Sequence, residues 1–111
     1  MLKIFLTPNF AKKVKQLCKK YPSLPSDLKQ LEKDLKENPL MGVDLGNGLR
    51  KIRMRIASKG RGKSGGARII THTAIVTVEE GVITLLTIYD KSEMENISER
   101  ELNTLLHSIL G

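Results

Sequence analysis

The sequence is poor in several features, and each shortage excludes a class of protein. A single cysteine, Cys18, rules out an internal disulfide framework and is compatible with a reducing cytoplasm. No apolar run approaches the roughly 18 residues that a transmembrane helix needs, and the opening residues do not resemble a signal peptide. His72 and His107 each stand alone, without a second ligand at metal-binding spacing. We therefore expect a cytoplasmic protein with no metal ion and no cofactor.

Positive charge, by contrast, is abundant and concentrated. The formal net charge is +7, and the segment 49–68 contains eight basic residues and no acidic one. They are Arg50, Lys51, Arg53, Arg55, Lys59, Arg61, Lys63 and Arg68. A patch of this kind indicates a polyanionic partner, which could be a nucleic acid, an acidic protein or an anionic membrane. The membrane is the least favoured, because no basic amphipathic helix accompanies the patch.

The hydrophobic pattern predicts one α+β domain over residues 1–111. The predicted order is strand 2–7, helix 10–18, helix 28–38, strands 49–57, 68–78 and 82–89, and a helix from 98 onward. Prolines separate the first two helices, and Ser98 with Glu101 forms a capping box for the last one. The fold class is therefore β-α-α-β-β-β-α, a mostly antiparallel sheet with a helical hairpin and a C-terminal helix. We expect all helices on one face of the sheet, leaving the other face partly open.

The strand 49–57 carries the most informative pattern. Lys51, Arg53 and Arg55 alternate with apolar residues, and period two places all three cations on one face. We expect Arg68, which opens the next strand, to join them on the open surface. The following glycine-rich string 60–65 matches a dinucleotide fingerprint, but a strand and not a helix follows it, so that mechanism is absent. A flexible cationic hairpin loop is the better interpretation.

The chain lacks the usual catalytic constellations, so an enzyme built on it would have to use lysine and arginine. RNA cleavage suits these residues, since the 2′-hydroxyl is an internal nucleophile beside the scissile phosphate. Arginine matches phosphate oxygens with its forked guanidinium, and a lysine acts as a base only when nearby charges lower its pKa. Cys18 is favoured as a structural thiol. His72 is open to either a structural role or an auxiliary RNA contact.

Three local strings resemble a known family, the RelE/ParE toxins of type II toxin–antitoxin systems, and come nearest to the RelE and HigB branch. They are Arg50-Lys51-Ile52-Arg53, the glycine-rich string 60–66 ending in Ala67-Arg68, and Tyr89-Asp90-Lys91-Ser92-Glu93 leading to Asn96-Ile97-Ser98. The resemblance implies a RelE-like fold and a metal-independent endoribonuclease that cuts mRNA in the ribosomal A site. It also implies a cognate antitoxin, commonly a helix-turn-helix protein.

The resemblance also assigns residues. Lys51 and Arg53 correspond to paired strand cations, one of them a candidate general base. Arg68 corresponds to the arginine that stabilises the phosphate transition state, and Lys91 to a basic residue near the leaving group. RelE has a tyrosine where this chain has Ile97, and HigB-like members lack that tyrosine too. The remaining cations are predicted to bind RNA: Arg50, Arg55, Lys59, Arg61 and Lys63.

Tyr89 precedes the position of the RelE tyrosine by eight residues, so the sequence does not identify it as a substitute. Two alternatives to the ribosome-dependent mRNA endonuclease stay open. One is a ParE-like toxin that inhibits DNA gyrase, and the other is a non-catalytic module that binds RNA or the ribosome. The dense strand cations favour the nuclease over the gyrase inhibitor.

Overall fold

A mixed sheet organises the computed structural model, which describes residues 2–110 apart from 61–64, 76, 78 and 95. In chain order the elements are β1 (Leu2–Leu6), α1 (Pro8–Lys20), α2 (Leu24–Glu37), β2 (Val43–Gly46), β3 (Leu49–Met54), a 3₁₀ turn (Ala57–Lys59), β4 (Ala67–Ile75), β5 (Gly81–Asp90) and α3 (Glu99–Leu110). The strand order is β1-β5-β4-β3-β2, with β1 parallel to β5 and the other pairs antiparallel. The predicted α+β class is confirmed.

The helical hairpin forms where the sequence places its caps and prolines. The Thr7 hydroxyl accepts a hydrogen bond from the Phe10 backbone N–H (3.1 Å), which satisfies a free donor at the start of α1. Helix α2 carries a proline in its first turn, where the missing N–H costs nothing. Both helices present an apolar stripe to the same face of the sheet. The core on this side contains Phe10, Leu17, Leu24, Leu31, Leu35, Ile52, Ile69, Ile83 and Ile88.

Helix α3 packs on the opposite face, so the expectation that all helices cover one face is wrong. Its buried Leu106 joins a second apolar cluster with Leu49, Ile70 and Leu86. These sheet residues point away from the helical hairpin and would be exposed without α3. The capping expected at Ser98 is present, because the Ser98 hydroxyl accepts from the Glu101 N–H (3.1 Å). The cationic face is therefore shared with a helix and is narrower than expected.

Strand β3 is shorter than the predicted strand 49–57 and ends at Met54. Beyond Met54 the backbone N–H groups leave the hydrogen-bonding pattern of the sheet. They donate instead to side chains of α2 and of the residue that precedes it. The Ala57 N–H donates to the Asp27 carboxylate (3.2 Å), and the Ser58 N–H donates to the Ser23 hydroxyl (2.8 Å). Arg55 consequently lies outside the strand, and strand alternation does not align it with the other cations.

The polar stretch before β3 contains a strand, β2, that the hydrophobic pattern did not predict. Asn47 and Gly48 have φ values of 55° and 80° and form the two-residue loop of a β2–β3 hairpin. Asn-Gly is a strong sequence signal for such a turn. Gly48 is also required sterically, because a Cβ there would lie 2.9 Å from the His72 imidazole. His72 thus packs against the hairpin turn.

A bulge in β5 changes which face its side chains occupy. Ile70 pairs with Thr87 and Thr71 pairs with Leu85, so Leu86 has no partner in the register. Leu85 packs in the hairpin-side core, whereas Leu86 packs against α3. Two residues of β5 therefore oppose one residue of β4, and alternation restarts after the bulge.

Gly66 closes the glycine-rich loop against the end of β3, and we expect Gly66→Ala to destabilise the fold by about 3 kcal/mol, the upper end of the usual cost of overpacking. A Cβ on Gly66 would lie 2.2 Å from the Met54 carbonyl oxygen, so the backbone would have to move. Gly60 provides the matched control. It has φ +71° with nothing within 4 Å of an added Cβ, so Gly60→Ala should cost only about 1–2 kcal/mol of left-handed strain. Urea denaturation measures the free energy of unfolding of both variants. An equal loss of stability in the two would contradict the steric argument.

Candidate active site on the cationic face

A row of side chains crosses three strands on the face opposite the helical hairpin. Arg53 of β3 pairs with Arg68 of β4, and Arg68 pairs in turn with Tyr89 of β5. Lys51 lies two residues before Arg53 and therefore on the same face. Directly opposed residues on antiparallel strands have Cα atoms about 4.5–5.5 Å apart. The structure thus brings together three of the four predicted catalytic residues and adds a tyrosine.

Arg68 is buried, contrary to the open surface expected for it. The residue is 4% exposed, while Arg53 beside it is exposed. Burial lowers the pKa of Arg68, the positive charge of Arg53 lowers it further, and Tyr89 opposes the shift. Arg68 lies on a central strand, on the face of the sheet against which α3 packs. The guanidinium is held in place, and one contact is a hydrogen bond to the Ala67 carbonyl oxygen (3.2 Å).

Tyr89 is the residue that the sequence analysis missed. It is 7% exposed, and among the described residues its hydroxyl has no hydrogen-bond partner of ordinary geometry. Burial raises the pKa of Tyr89, while the Ile97 backbone N–H and Arg68 oppose that shift. Tyr89 thus lies beside Arg68 across the β4–β5 ladder, and its hydroxyl is near Ile97, the position at which RelE has its tyrosine. Tyr89 and Ile97 are eight residues apart in the sequence, but the chain folds back before α3 and brings them together.

Two further contacts border this face. The Lys51 ammonium lies 3.5 Å from the Asn96 side-chain oxygen, at the approach to α3. The Lys91 backbone N–H donates to the Gly66 carbonyl oxygen (3.0 Å), which ties the turn after β5 to the start of β4. Lys91 therefore follows the strand that carries Tyr89, close to the end of the row. Asn96 belongs to one of the family-like strings, but no role was predicted for it.

Asp90 anchors a buried network behind the row, on the hairpin side of the sheet. Its side chain is fully buried, and one oxygen lies 2.6 Å from the Lys59 ammonium. The Tyr21 hydroxyl donates to the other oxygen, and the backbone N–H and hydroxyl of Ser92 donate to the first (2.9 and 2.7 Å). Lys20 lies 3.9 Å away. Burial alone would raise the pKa of Asp90, but these hydrogen bonds outweigh it, and the pKa lies well below its ordinary value.

Several predicted RNA-binding residues have other contacts. Lys59 is committed to Asp90 and Ser92. Arg50 donates to the Leu40 carbonyl oxygen (2.8 Å) and lies 3.8 Å from Asp44, so it holds the segment before β2. Arg55 is exposed but lies outside the strand. Two further predicted residues lie outside the described residues: Arg61 and Lys63.

The described part of the chain contains no cluster of three or more His, Cys, Asp or Glu side chains that could hold a metal ion. None of its helices combines the length and apolarity needed to cross a membrane.

A comparison with protein families identifies the family of this chain. A family model described as the RelE toxin of the RelE/RelB toxin–antitoxin system matches residues 2–108. The chain belongs to the RelE toxin family. The resemblance carried by the local strings is thereby confirmed, and the match spans every strand and most of α3. This RelE toxin is accordingly the toxin component of a toxin–antitoxin pair, in a family whose members are typically endoribonucleases.

Breaking the buried Asp90 network should destabilise the RelE toxin strongly. We expect Asp90→Asn to lower the free energy of unfolding at pH 7 by about 3–5 kcal/mol, because it leaves the buried Lys59 charge uncompensated. Since the pKa of Asp90 is depressed in the folded state, its contribution is complete above pH about 4 and is lost as the pH falls below that value. The difference in the free energy of unfolding between wild type and variant should therefore become smaller at acid pH.

Urea denaturation at a series of pH values measures this effect, and Asp44→Asn is the control. Asp44 is 67% exposed and lies 3.8 Å from Arg50, so its loss should cost less than about 1 kcal/mol. A gap between wild type and Asp90→Asn that stays constant through the acid range would disprove the assigned role.

Proposed function

We propose that this RelE toxin is a ribosome-dependent mRNA endonuclease that cleaves the codon exposed in the A site of the cytoplasmic ribosome. The observation that supports the proposal most directly is the row of Arg53 and Arg68 across adjacent strands, with Lys51 on the same face. A row of forked cations suits a phosphate group flanked by nucleotides. Family membership supplies the toxin context, and the geometry supplies the means of holding the scissile phosphate.

The proposed reaction needs only atoms that RNA provides. The 2′-oxygen attacks the adjacent phosphorus, an O2′–P bond forms and the P–O5′ bond breaks. The products are a 2′,3′-cyclic phosphate and a free 5′-hydroxyl. One proton must leave the 2′-hydroxyl and one must reach the departing 5′-oxygen. The protein therefore has to align the nucleotide, move these protons and stabilise the charge that develops on the phosphate.

The residues divide these tasks by position. Arg53 is exposed and meets the incoming phosphate, while the buried Arg68 supplies a fixed second guanidinium behind it. Lys51 is our candidate for accepting the 2′-hydroxyl proton, held by Asn96, and Lys91 is our candidate for the leaving-group side. In this assignment the nucleophile lies toward Lys51, the phosphate at Arg53 and Arg68, and the leaving group toward the end of β5.

Removing the Lys51 charge or the Arg68 fork should slow cleavage strongly while the fold survives. We expect Lys51→Ala, and Arg68→Lys, which keeps the charge but loses the fork, each to slow cleavage by about 100-fold or more. Primer extension on mRNA in a purified translation system measures the cuts and their codon phase. The controls are Lys12→Ala and Lys33→Ala, which remove exposed charges from the helical hairpin.

Codon-phased cleavage at an unchanged rate in a folded Lys51→Ala/Arg68→Lys double variant would refute the roles assigned to these residues. Absence of codon-phased cuts by the wild-type protein would refute the nuclease. After induction in cells, protein synthesis should stop before DNA synthesis. The reverse order would support inhibition of gyrase.

Tyr89 is proposed to line the site beside Arg68, its cross-strand neighbour, and Tyr89→Phe tests the role of its hydroxyl without disturbing the ring packing. Because the hydroxyl is buried without a partner of ordinary geometry in the described part of the chain, its loss should leave the free energy of unfolding unchanged or slightly higher. Cleavage should nevertheless fall about 10-fold in kcat, with KM for the programmed ribosome unchanged. A variant that is equally stable and fully active would show that the hydroxyl has no role.

A further inference from the structure

A pocket of about 250 Å³ lies between α2 and the end of β3. Its floor is apolar, because Leu31 and Met54 are buried and the partly buried Met41 packs against the same core. The pocket is smaller than the roughly 300–1,000 Å³ that drug-sized ligands occupy, so its size suits a single flat ring system. Methionine side chains also make favourable contacts with aromatic rings. The floor can therefore hold one planar aromatic group.

The rim of this pocket carries charges of both signs. Asp27 and Asp34 lie seven residues apart on α2, so they share one face of the helix, and both are partly buried. Arg53 and Arg55 line the pocket from the end of β3 and the residues that follow it. Among the described residues, none of these four side chains forms an ion pair within 4 Å. Their charges therefore suit a ligand that has hydrogen-bond donors on one edge and acceptors on another.

The two carboxylates of the rim differ in the contacts that they already make. Asp27 accepts hydrogen bonds from the Ala57 N–H (3.2 Å) and the Ser23 hydroxyl (2.8 Å), so it holds the turn after β3. Asp34 accepts only from the Gln30 side-chain amide (3.0 Å) within the described part of the chain, and that bond uses one of its two oxygens. Asp34 is therefore the carboxylate with capacity for a ligand.

The pocket lies at an edge of the sheet that meets the cationic face. Strand β2 pairs with β3 only as far as Lys51, and among the strands of the described structure no other lies on that side of β3. Arg53 follows in this uncovered part, and it belongs both to the cationic row and to the wall of the pocket. Single-stranded RNA presents unstacked bases to proteins. A nucleotide whose phosphate is bound at Arg53 can therefore place its base around the edge, in the pocket.

We propose that this pocket binds a guanine base next to the scissile phosphate. Guanine has two adjacent donors, the N1 and N2 N–H groups, on one edge and the acceptors O6 and N7 on another. The Asp34 carboxylate accepts from the two donors, and Arg55 donates to the acceptors. No other RNA base offers a carboxylate two neighbouring N–H groups on different ring positions. The inference rests on the proposed function, because it takes the phosphate at Arg53 as its starting point.

Binding of short single-stranded RNA to the whole chain tests the proposal. The oligonucleotides are 2′-O-methylated, so no 2′-hydroxyl can attack and binding is measured without cleavage. They are oligouridylates that differ only in one central base: guanine, adenine, cytosine, uracil or hypoxanthine, which is guanine without the N2 amine. By fluorescence anisotropy, the guanine oligonucleotide should bind about 10-fold more tightly than the other four, as expected for one bidentate contact.

Asp34→Asn should remove this preference, so that all five oligonucleotides bind within about 3-fold of one another. Loss of the N2 amine should then weaken binding to the wild type and hardly change binding to Asp34→Asn, because the two groups are partners in one interaction. Glu37→Gln is the matched control, since it removes an exposed carboxylate from the same helix outside the pocket and should keep the preference. Arg55→Gln changes the other wall and should reduce the preference as well.

Each outcome decides the proposal. Equal binding of all five oligonucleotides by the wild type, or binding of none, overturns it, and so does a guanine preference that survives in Asp34→Asn. A preference for a different base that Asp34→Asn abolishes overturns the assignment to guanine. The nuclease is judged separately. A guanine preference in a toxin that makes no cuts in mRNA supports the pocket and refutes the nuclease, whereas codon-phased cuts without any such binding preference do the reverse.

Discussion

The interaction on which the rest of the structure depends is the buried ion pair between Asp90 and Lys59. It joins the end of β5, the 3₁₀ turn and, through Tyr21, the end of α1. Two charges removed from water are tolerated because nearly every polar atom around them is hydrogen-bonded. The pair fixes where the glycine-rich loop leaves the body of the protein and where the chain turns after β5. Both positions determine the geometry of the cationic face, although the pair lies on its other side.

The cationic face gains rigidity from the way its charges are distributed. A wholly solvated patch would bind polyanions, but its long side chains would lose much conformational freedom on binding. Here Arg68 is already buried and held, while Arg53 remains exposed beside it. Part of the side-chain conformational entropy that binding would cost is therefore already lost during folding. Like charges placed so close also repel each other, and a phosphate between them relieves that repulsion.

Much of this architecture could be predicted from local patterns, and the exceptions share a physical cause. Helix caps, the alternation of Lys51 and Arg53 and the family strings all depend on neighbours in sequence, which a single chain displays. The burial of Arg68, the commitment of Lys59 to Asp90 and the packing of α3 on the cationic face depend on partners distant in sequence. The β2 strand is a different case. Its Asn-Gly turn is a local signal in the sequence, but the apolar alternation of the strand itself is too weak to predict it.

The unpaired Leu86 in β5 has an electrostatic consequence for the whole molecule. If β5 alternated regularly from Ile83 and Leu85 onward, Tyr89 would enter the helical-hairpin core and Asp90 would emerge on the face that carries Arg68. A carboxylate there would neutralise the guanidinium and repel any phosphate. One additional residue in β5 thus keeps the Asp90 carboxylate on the opposite side of the sheet from Arg68. As a result, the adjacent residues Tyr89 and Asp90 pack on opposite faces.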